Sequence, residues 1–222
     1  MVSGEDRGTY VVAVVLAALA GYVDAFGFIT LGGFFVSFMS GNTTRMGVAA
    51  TEGQWHPALV GASIIVLFVL GVVAGSLVGD RVGLRRRSAV LGLTAVLLTV
   101  AVAGSAVEST QIVIAALALA LAMGAEDTVF DRGSGSSISL TYMTGTLVKL
   151  GRGVATALTG GARWEWLRFA GLWLGLLAGV GIGTGIHRLV GLAGLWVAVG
   201  VAAALAAGFA RRPGVGFSEA ST

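Results

Sequence analysis

Long apolar runs leave this chain few ways to fold in water. Six of them, at 9–33, 58–79, 89–107, 111–130, 166–186 and 189–210, reach the roughly 20 mostly apolar residues that a helix needs to cross a bilayer. The polar side chains are too few to cover a globule that buried these runs. Charged residues make up 11% of 222, as 14 basic and 11 acidic side chains, against about 25% in an ordinary soluble domain. The sequence therefore predicts an all-α integral membrane protein. It has no cysteine, which excludes disulfide frameworks, thiolate metal sites and cysteine nucleophiles. The net charge of +3 comes from arginines clustered beside the apolar runs. That placement orients a membrane protein and does not point to nucleic acid.

Two further stretches, 34–50 and 137–159, are long enough to cross but carry polar centres. Whether they cross decides the topology. Basic residues near span ends stay in the cytoplasm, which puts Arg81, Arg85, Arg86 and Arg87 inside. If only the six strong segments cross, Arg7, the stretch holding Arg152, Arg163 and Arg168, and Arg211 and Arg212 fall on that same side. Arg188 alone dissents. Eight crossings would strand Arg211 and Arg212 outside. Six transmembrane helices plus two broken or re-entrant segments are therefore preferred, with both termini cytoplasmic. The first run is longer than a cleaved signal peptide and has few basic residues before it, so it is expected to remain as the first helix.

The chain also repeats itself. Shifted by 104 residues, Met39-Ser40-Gly41 lies on Met143-Thr144-Gly145 and Arg45 lies on Lys149. The same shift lays Leu70-Gly71-Val72-Val73-Ala74-Gly75 on Leu174-Gly175-Leu176-Leu177-Ala178-Gly179. With one residue of slippage, Gly21 and Asp24 meet Gly124 and Asp127. One constant offset across separate blocks argues for duplication. It divides the chain into an N-terminal tail at 1–8, a first membrane repeat at 9–107, a second at 108–210 and a C-terminal tail at 211–222. If each half crosses an odd number of times, the second enters from the opposite side. Such inverted repeats, with midplane sites built from interrupted helices, occur in many secondary transporters.

Polar motifs fall inside these apolar runs. Asp24 sits well within the first one, where a charge costs at least ~2.5 kcal/mol and must find a partner, water or a proton. Ser40-Gly41-Asn42-Thr43-Thr44 sets a glycine among four hydrogen-bonding side chains, which suits a helix break facing a cavity. In the second half stand Glu126-Asp127, Asp131-Arg132 and Thr144-Gly145-Thr146. Glu126 and Asp127 are adjacent and so project about 100° apart. One is expected to face the cavity and the other to meet Arg132 or water; Asp131 and Arg132 read as a solvated turn. Taken singly, Thr43 and Thr44 read as side chains that satisfy their own helix backbone. Arg45 and Lys149 read as chains that snorkel to the interface, with pairing to the carboxylates or contact with an anionic substrate as alternatives. The candidate substrate or ion site comprises Asp24, Ser40, Gly41, Asn42 and Thr43 with Asp127, Thr144, Gly145 and Thr146, backed by Arg45, Glu126 and Lys149.

Gly21-Tyr22-Val23-Asp24-Ala25, Ser40-Gly41-Asn42-Thr43-Thr44-Arg45 and Thr144-Gly145-Thr146-Leu147-Val148-Lys149-Leu150-Gly151, in that order over nearly the whole chain, resemble the YoaK-like family of bacterial multi-pass membrane proteins. The resemblance implies six spans in the bacterial cytoplasmic membrane and supplies no substrate. The chain departs from it at Glu126-Asp127, where the family pattern has an uncharged Gln-Asn-like pair.

Nothing in the sequence marks an enzyme or a cofactor site. There is no Walker-type loop and no His-Glu-x-x-His, His56 and His187 are far apart in sequence, and Gly181-Ile182-Gly183-Thr184-Gly185 follows a membrane helix instead of a strand. The expected partners are the lipid bilayer and a small polar solute or ion. The reading that follows is a small secondary transporter coupled to a proton or cation through Asp24 and Asp127. A passive channel and a non-transporting scaffold are the alternatives. Gly71, Gly75 and Gly79, echoed by Gly175, Gly179 and Gly183, form small-residue ridges for contacts between the halves or between protomers of a homodimer.

Overall fold

The computed structural model describes residues 4–105, 111–130 and 143–211, and among them all regular structure is helical. In chain order the helices are α1 (Gly4–Thr30), α2 (Met39–Thr51), α3 (Trp55–Val82), α4 (Arg86–Ser105), α5 (Gln111–Asp127), α6 (Met143–Leu158), α7 (Trp166–Val190) and α8 (Leu195–Arg211). Asp131, Arg132 and the first residues of the 137–159 stretch lie outside the described residues, as do both tails apart from the start of α1 and Arg211.

Among the described residues, three stretches are apolar and long enough to cross a membrane: Gly8–Thr30, Trp55–Gly104 and Trp166–Arg211, of 23, 50 and 46 residues. The last two would each run about 70 Å or more as straight helices. Both are broken by a 3-10 turn, Gly83–Arg85 and Gly191–Gly194, which opens on a glycine with positive φ, +52° at Gly83 and +61° at Gly191. The sequence placed a run at 189–210; the turn moves the start of α8 to Leu195. By contrast α2 has 13 residues and α6 has 16, about 20 and 24 Å of helix against a hydrocarbon core of about 30 Å. α5 and α8 have 17 each, so length by itself sets only α2 apart.

The halves interlock. α1 packs along α7, and α3 along α5. Gly175, Gly179 and Gly183 of α7 face Val14, Ala18 and Tyr22 of α1, while Gly71 and Gly75 of α3 face Leu121 and Ala125 of α5, so the helices of each pair run in the same direction. Gly21 and Gly124 return the contact, lying against the carbonyls of Leu176 and Phe68. A methyl group at Gly179 would run into the Ala18 carbonyl. These ridges thus join the two halves of one chain. In lipid, where tails are as apolar as leucine, such close backbone approach supplies the van der Waals attraction that burial supplies in water.

The remaining contacts complete the bundle. α2 lies on α3 and α6 on α7, α4 packs on α5 and α8, and α1 touches α5 and α8. The Ser88 hydroxyl donates to the Ala206 carbonyl at 2.9 Å, and the Arg87 guanidinium lies 5.2 Å from the Phe130 ring and 5.6 Å from that of Phe209. α4 therefore begins where α5 and α8 end. At the other end Tyr22 of α1 donates its hydroxyl to Gly194 after α7, at 2.6 Å. Between these ends Leu16, Phe26, Ile64, Leu98, Met123 and Leu195 are fully buried in one continuous core.

Candidate functional site

Two glycines with positive φ end α1. Gly32 and Gly33 have φ of +63° and +96°, and the Gly33 N–H donates to the Phe28 carbonyl at 2.8 Å, the six-residue closure of a Schellman cap. The chain then turns back along α1. Gly27 leaves a bare patch in which Val36 lies, since a Cβ there would come within 2.7 Å of the Val36 side chain. The turn brings residues 36–37 to the level of Asp24, one of whose carboxylate oxygens accepts the N–H groups of Val36 at 2.7 Å and Ser37 at 2.8 Å. The other accepts the Ser37 hydroxyl at 2.5 Å.

From that tip α2 runs back toward the end of α1. Asn42, fully buried, clamps Phe35 by accepting its N–H at 2.9 Å and donating to its carbonyl at 2.6 Å. One turn further, Arg45 donates to the Gly32 carbonyl at 2.9 Å and lies 4.7 Å from the Phe34 ring. The pairs 35 with 42 and 32 with 45 make an antiparallel hairpin. α3 holds it from outside: Gly61 sits against Met46 and Phe34.

The break is not where the sequence placed it. Ser40, Gly41, Asn42, Thr43 and Thr44 are helical, and residues 31–38 form the interruption. Thr43 and Thr44 donate to the carbonyls of Met39 and Ser40, four residues back, at 2.9 and 3.2 Å. They satisfy their own helix and are exposed, as is Ser40. Gly41 makes room for the rings of Phe38 and Phe35. Of the first-half candidates the structure brings together only Asp24 and Asn42, through the hairpin. Ser37 and the amides at 36 and 37, which the sequence reading did not select, are the groups that touch Asp24. The Gly32-Gly33 pair was the available signal, because two adjacent glycines at the end of an apolar run mark a reversal.

In the second half α6 begins at Met143, the residue that the repeat aligns with Met39 at the start of α2. Thr144 is exposed and Gly145 and Thr146 are buried, matching exposed Ser40, half-buried Gly41 and buried Asn42. Lys149 lies outside, its amine 6.0 Å from the Phe169 ring. The two acids split as the 100° offset requires. Glu126 is 1% exposed and Asp127 is half-buried. Glu126 lies within electrostatic range of both Asp24 and Asp127, and among the described residues neither of its carboxyl oxygens has a hydrogen-bond partner. Glu126, placed only behind the site from the sequence, is thus a second buried acid, within electrostatic range of Asp24 in a bundle where α1 touches α5.

Neither Asp24 nor Glu126 forms an ion pair among the described residues. Asp24 is 7% exposed, so both acids are enclosed. Open apolar grooves of about 330 and 400 Å³ lie elsewhere, one along Leu59, Val66 and Leu117 and one beside Leu158 and Trp164.

Comparison with known proteins agrees with this membrane architecture. Residues 12–208 match the family described as "Protein of unknown function (DUF1275)". A UPF0700 transmembrane protein of Rhizobium meliloti (strain 1021) is 35% identical over 182 residues, which cover 82% of this chain and 77% of that relative. No solved structure matches. With the match running from α1 into α8 and a transmembrane relative across most of its length, the chain belongs to the DUF1275 family.

Proposed function

We propose that this protein is a small secondary transporter in the bacterial cytoplasmic membrane, with six crossing helices (α1, α3, α4, α5, α7 and α8), two re-entrant hairpins carrying α2 and α6, and cytoplasmic termini. The observation that carries the reading is the buried pair Asp24 and Glu126, one acid from each half, within electrostatic range of each other. Charged groups inside a membrane bundle are expensive and mark ion or proton pathways. The coupling ion binds at this pair, and a small polar solute is held near it, between the two hairpins.

Several contacts support inverted repeats. The partner exchange is mutual: the first helix of each half packs on the long third element of the other, α1 on α7 and α5 on α3. α4 and α8 lie antiparallel, since Ser88 near the start of one meets Ala206 near the end of the other. Eight crossings would make them parallel. The return of α2 toward Gly32 further supports a hairpin over a span. The ends of α3, α5 and α8 lie together with the start of α4, which gathers Arg81, Arg85, Arg86, Arg87 and Arg211 on one side, as an inward-facing basic cluster requires.

One observation favours a second reading, the non-transporting scaffold: Asp24 already has three internal donors. Proteoliposomes loaded with a pH-sensitive dye and offered a panel of amino acids, sugars and small carboxylic acids separate the two. The transporter moves protons saturably with one class of solute, and Asp24→Asn loses that movement while still assembling. Unitary currents on electrical recording indicate a channel instead. Electrical silence with no solute-driven proton movement across the panel leaves the scaffold. Single cysteines placed in this cysteine-free chain at Thr51 and Gly161 test the topology: inverted hairpins expose them to opposite sides.

A further inference from the structure

We propose that Asp24 and Glu126 form a one-proton site in which Glu126 holds the proton while the Asp24 carboxylate latches the tip of the first hairpin. For its part in coupling this rests on the transporter reading; the site itself does not. The assignment follows from hydrogen-bond capacity. An ionised carboxyl only accepts, and a protonated one must also donate. Asp24 receives three donors, two N–H and one O–H, on its two oxygens, an arrangement made for a carboxylate. Glu126 receives none on either oxygen and is 1% exposed. A buried carboxylate with no donors and a second carboxylate nearby is the arrangement that burial penalises most heavily, whereas the neutral acid fits an apolar setting.

The charged groups nearest the pair among the described residues fit this assignment. Asp127, next to Glu126 on α5, adds negative charge. Arg86 and Arg87 on α4 reach the end of α5 lower down, at the Thr128 carbonyl and the Phe130 ring, and Asp80 on α3 pairs with Arg86. His187 on α7 stacks edge-on against Phe26 of α1. A metal cation suits the pair poorly. Hard cations take about six oxygens, and here the Asp24 oxygens are occupied by N–H and O–H hydrogens, leaving the two of Glu126.

The pair then works as a latch. When Glu126 gives up its proton and the Asp24 oxygen facing Ser37 takes one up, by way of water or solute entering between two carboxyls that share no hydrogen bond, that oxygen becomes a donor. The Ser37 hydroxyl must turn to accept, and the two amide hydrogen bonds lose their charged acceptor. The grip on residues 36–37 weakens, while the negative charge moves to Glu126 in the other half. One proton thus changes both the hairpin and the charge across the α1–α5 contact.

Infrared spectroscopy of the full chain in lipid nanodiscs at pH 7 tests this directly. The expected spectrum has a protonated-carboxyl C=O stretch that shifts in heavy water, disappears in Glu126→Gln and stays in Asp24→Asn, with the same intensity in sodium, potassium and choline chloride. No such band, a band surviving Glu126→Gln, or a band displaced by sodium overturns the proposal. Carboxyl-13C glutamate resonances of the wild-type chain read the same protonation state, so a misfolded variant does not spare the idea. A proton found on Glu126 with no solute-driven flux ends the transporter reading and leaves the one-proton site standing.

Discussion

Removing the Asp24 carboxyl should free the hairpin tip before it disturbs the bundle. In Asp24→Ala three buried donors lose their acceptor, the amides of Val36 and Ser37 and the Ser37 hydroxyl, which sit 2.7, 2.8 and 2.5 Å from it. Hydrogen bonds to a charged group contribute about 1.5–3 kcal/mol each. Even at the lower end, three of them come to over 4 kcal/mol of local stability, about three decades in an opening equilibrium. Amide hydrogen exchange in nanodiscs reads this at residues 36 and 37, with the buried backbone of α1 around Ala17 and Ala20 as the internal reference. Asp24→Asn keeps one oxygen for both amides but removes the charge, so the expected acceleration is smaller, on the order of ten- to a hundredfold. If exchange at 36 and 37 rises less than tenfold in Asp24→Ala while α1 is unchanged, the carboxyl does not hold the tip, and the latch fails with it.

Other expectations concern the parts that position this site. Gly179→Ala places a methyl group against the Ala18 carbonyl and should lower the midpoint of thermal unfolding in detergent, at a cost of about 1–3 kcal/mol, whereas Gly185→Ala meets nothing within 4 Å and should be neutral or slightly stabilising; equal effects at the two positions would contradict the interlocked α1–α7 packing. Asn42→Leu leaves both backbone groups of half-buried Phe35 without the side chain that bonds them, a loss of about 2 kcal/mol, and limited proteolysis should then cut within 31–38. Unchanged protease resistance would show that Asn42 is not the clamp. Tyr22→Phe removes one 2.6 Å hydrogen bond to Gly194 and should cost about 1 kcal/mol in the same unfolding assay, with no change in exchange at the hairpin tip.

Much of the scaffold could be read from residue order. The apolar runs anticipated α1, α3, α4, α5, α7 and α8 to within a few residues, except where Gly191 delays the start of α8. The 104-residue offset aligned Met39 with Met143, the residues that open α2 and α6, without marking either as a helix start. The glycine ridges announced close packing, though not which helices would meet. The polar cluster was harder. Ser40, Thr43 and Thr144 looked like lining because they stand beside glycines in an apolar run, yet they are exposed on their helices.

Hydrophobicity and periodicity act locally, so residue order alone determined that this chain is a bundle of apolar helices with acids set inside the apolar runs. Which acid is buried, and what it touches, depends on where distant segments return. Ser37 reaches Asp24 only because Gly32 and Gly33 reverse the chain and Gly27 leaves room beside α1. Glu126 and the adjacent Asp127 are buried to different depths because packing against α5 selects one side of a helix on which neighbours diverge by about 100°. Those choices belong to packing between helices, and only the tertiary structure could make them.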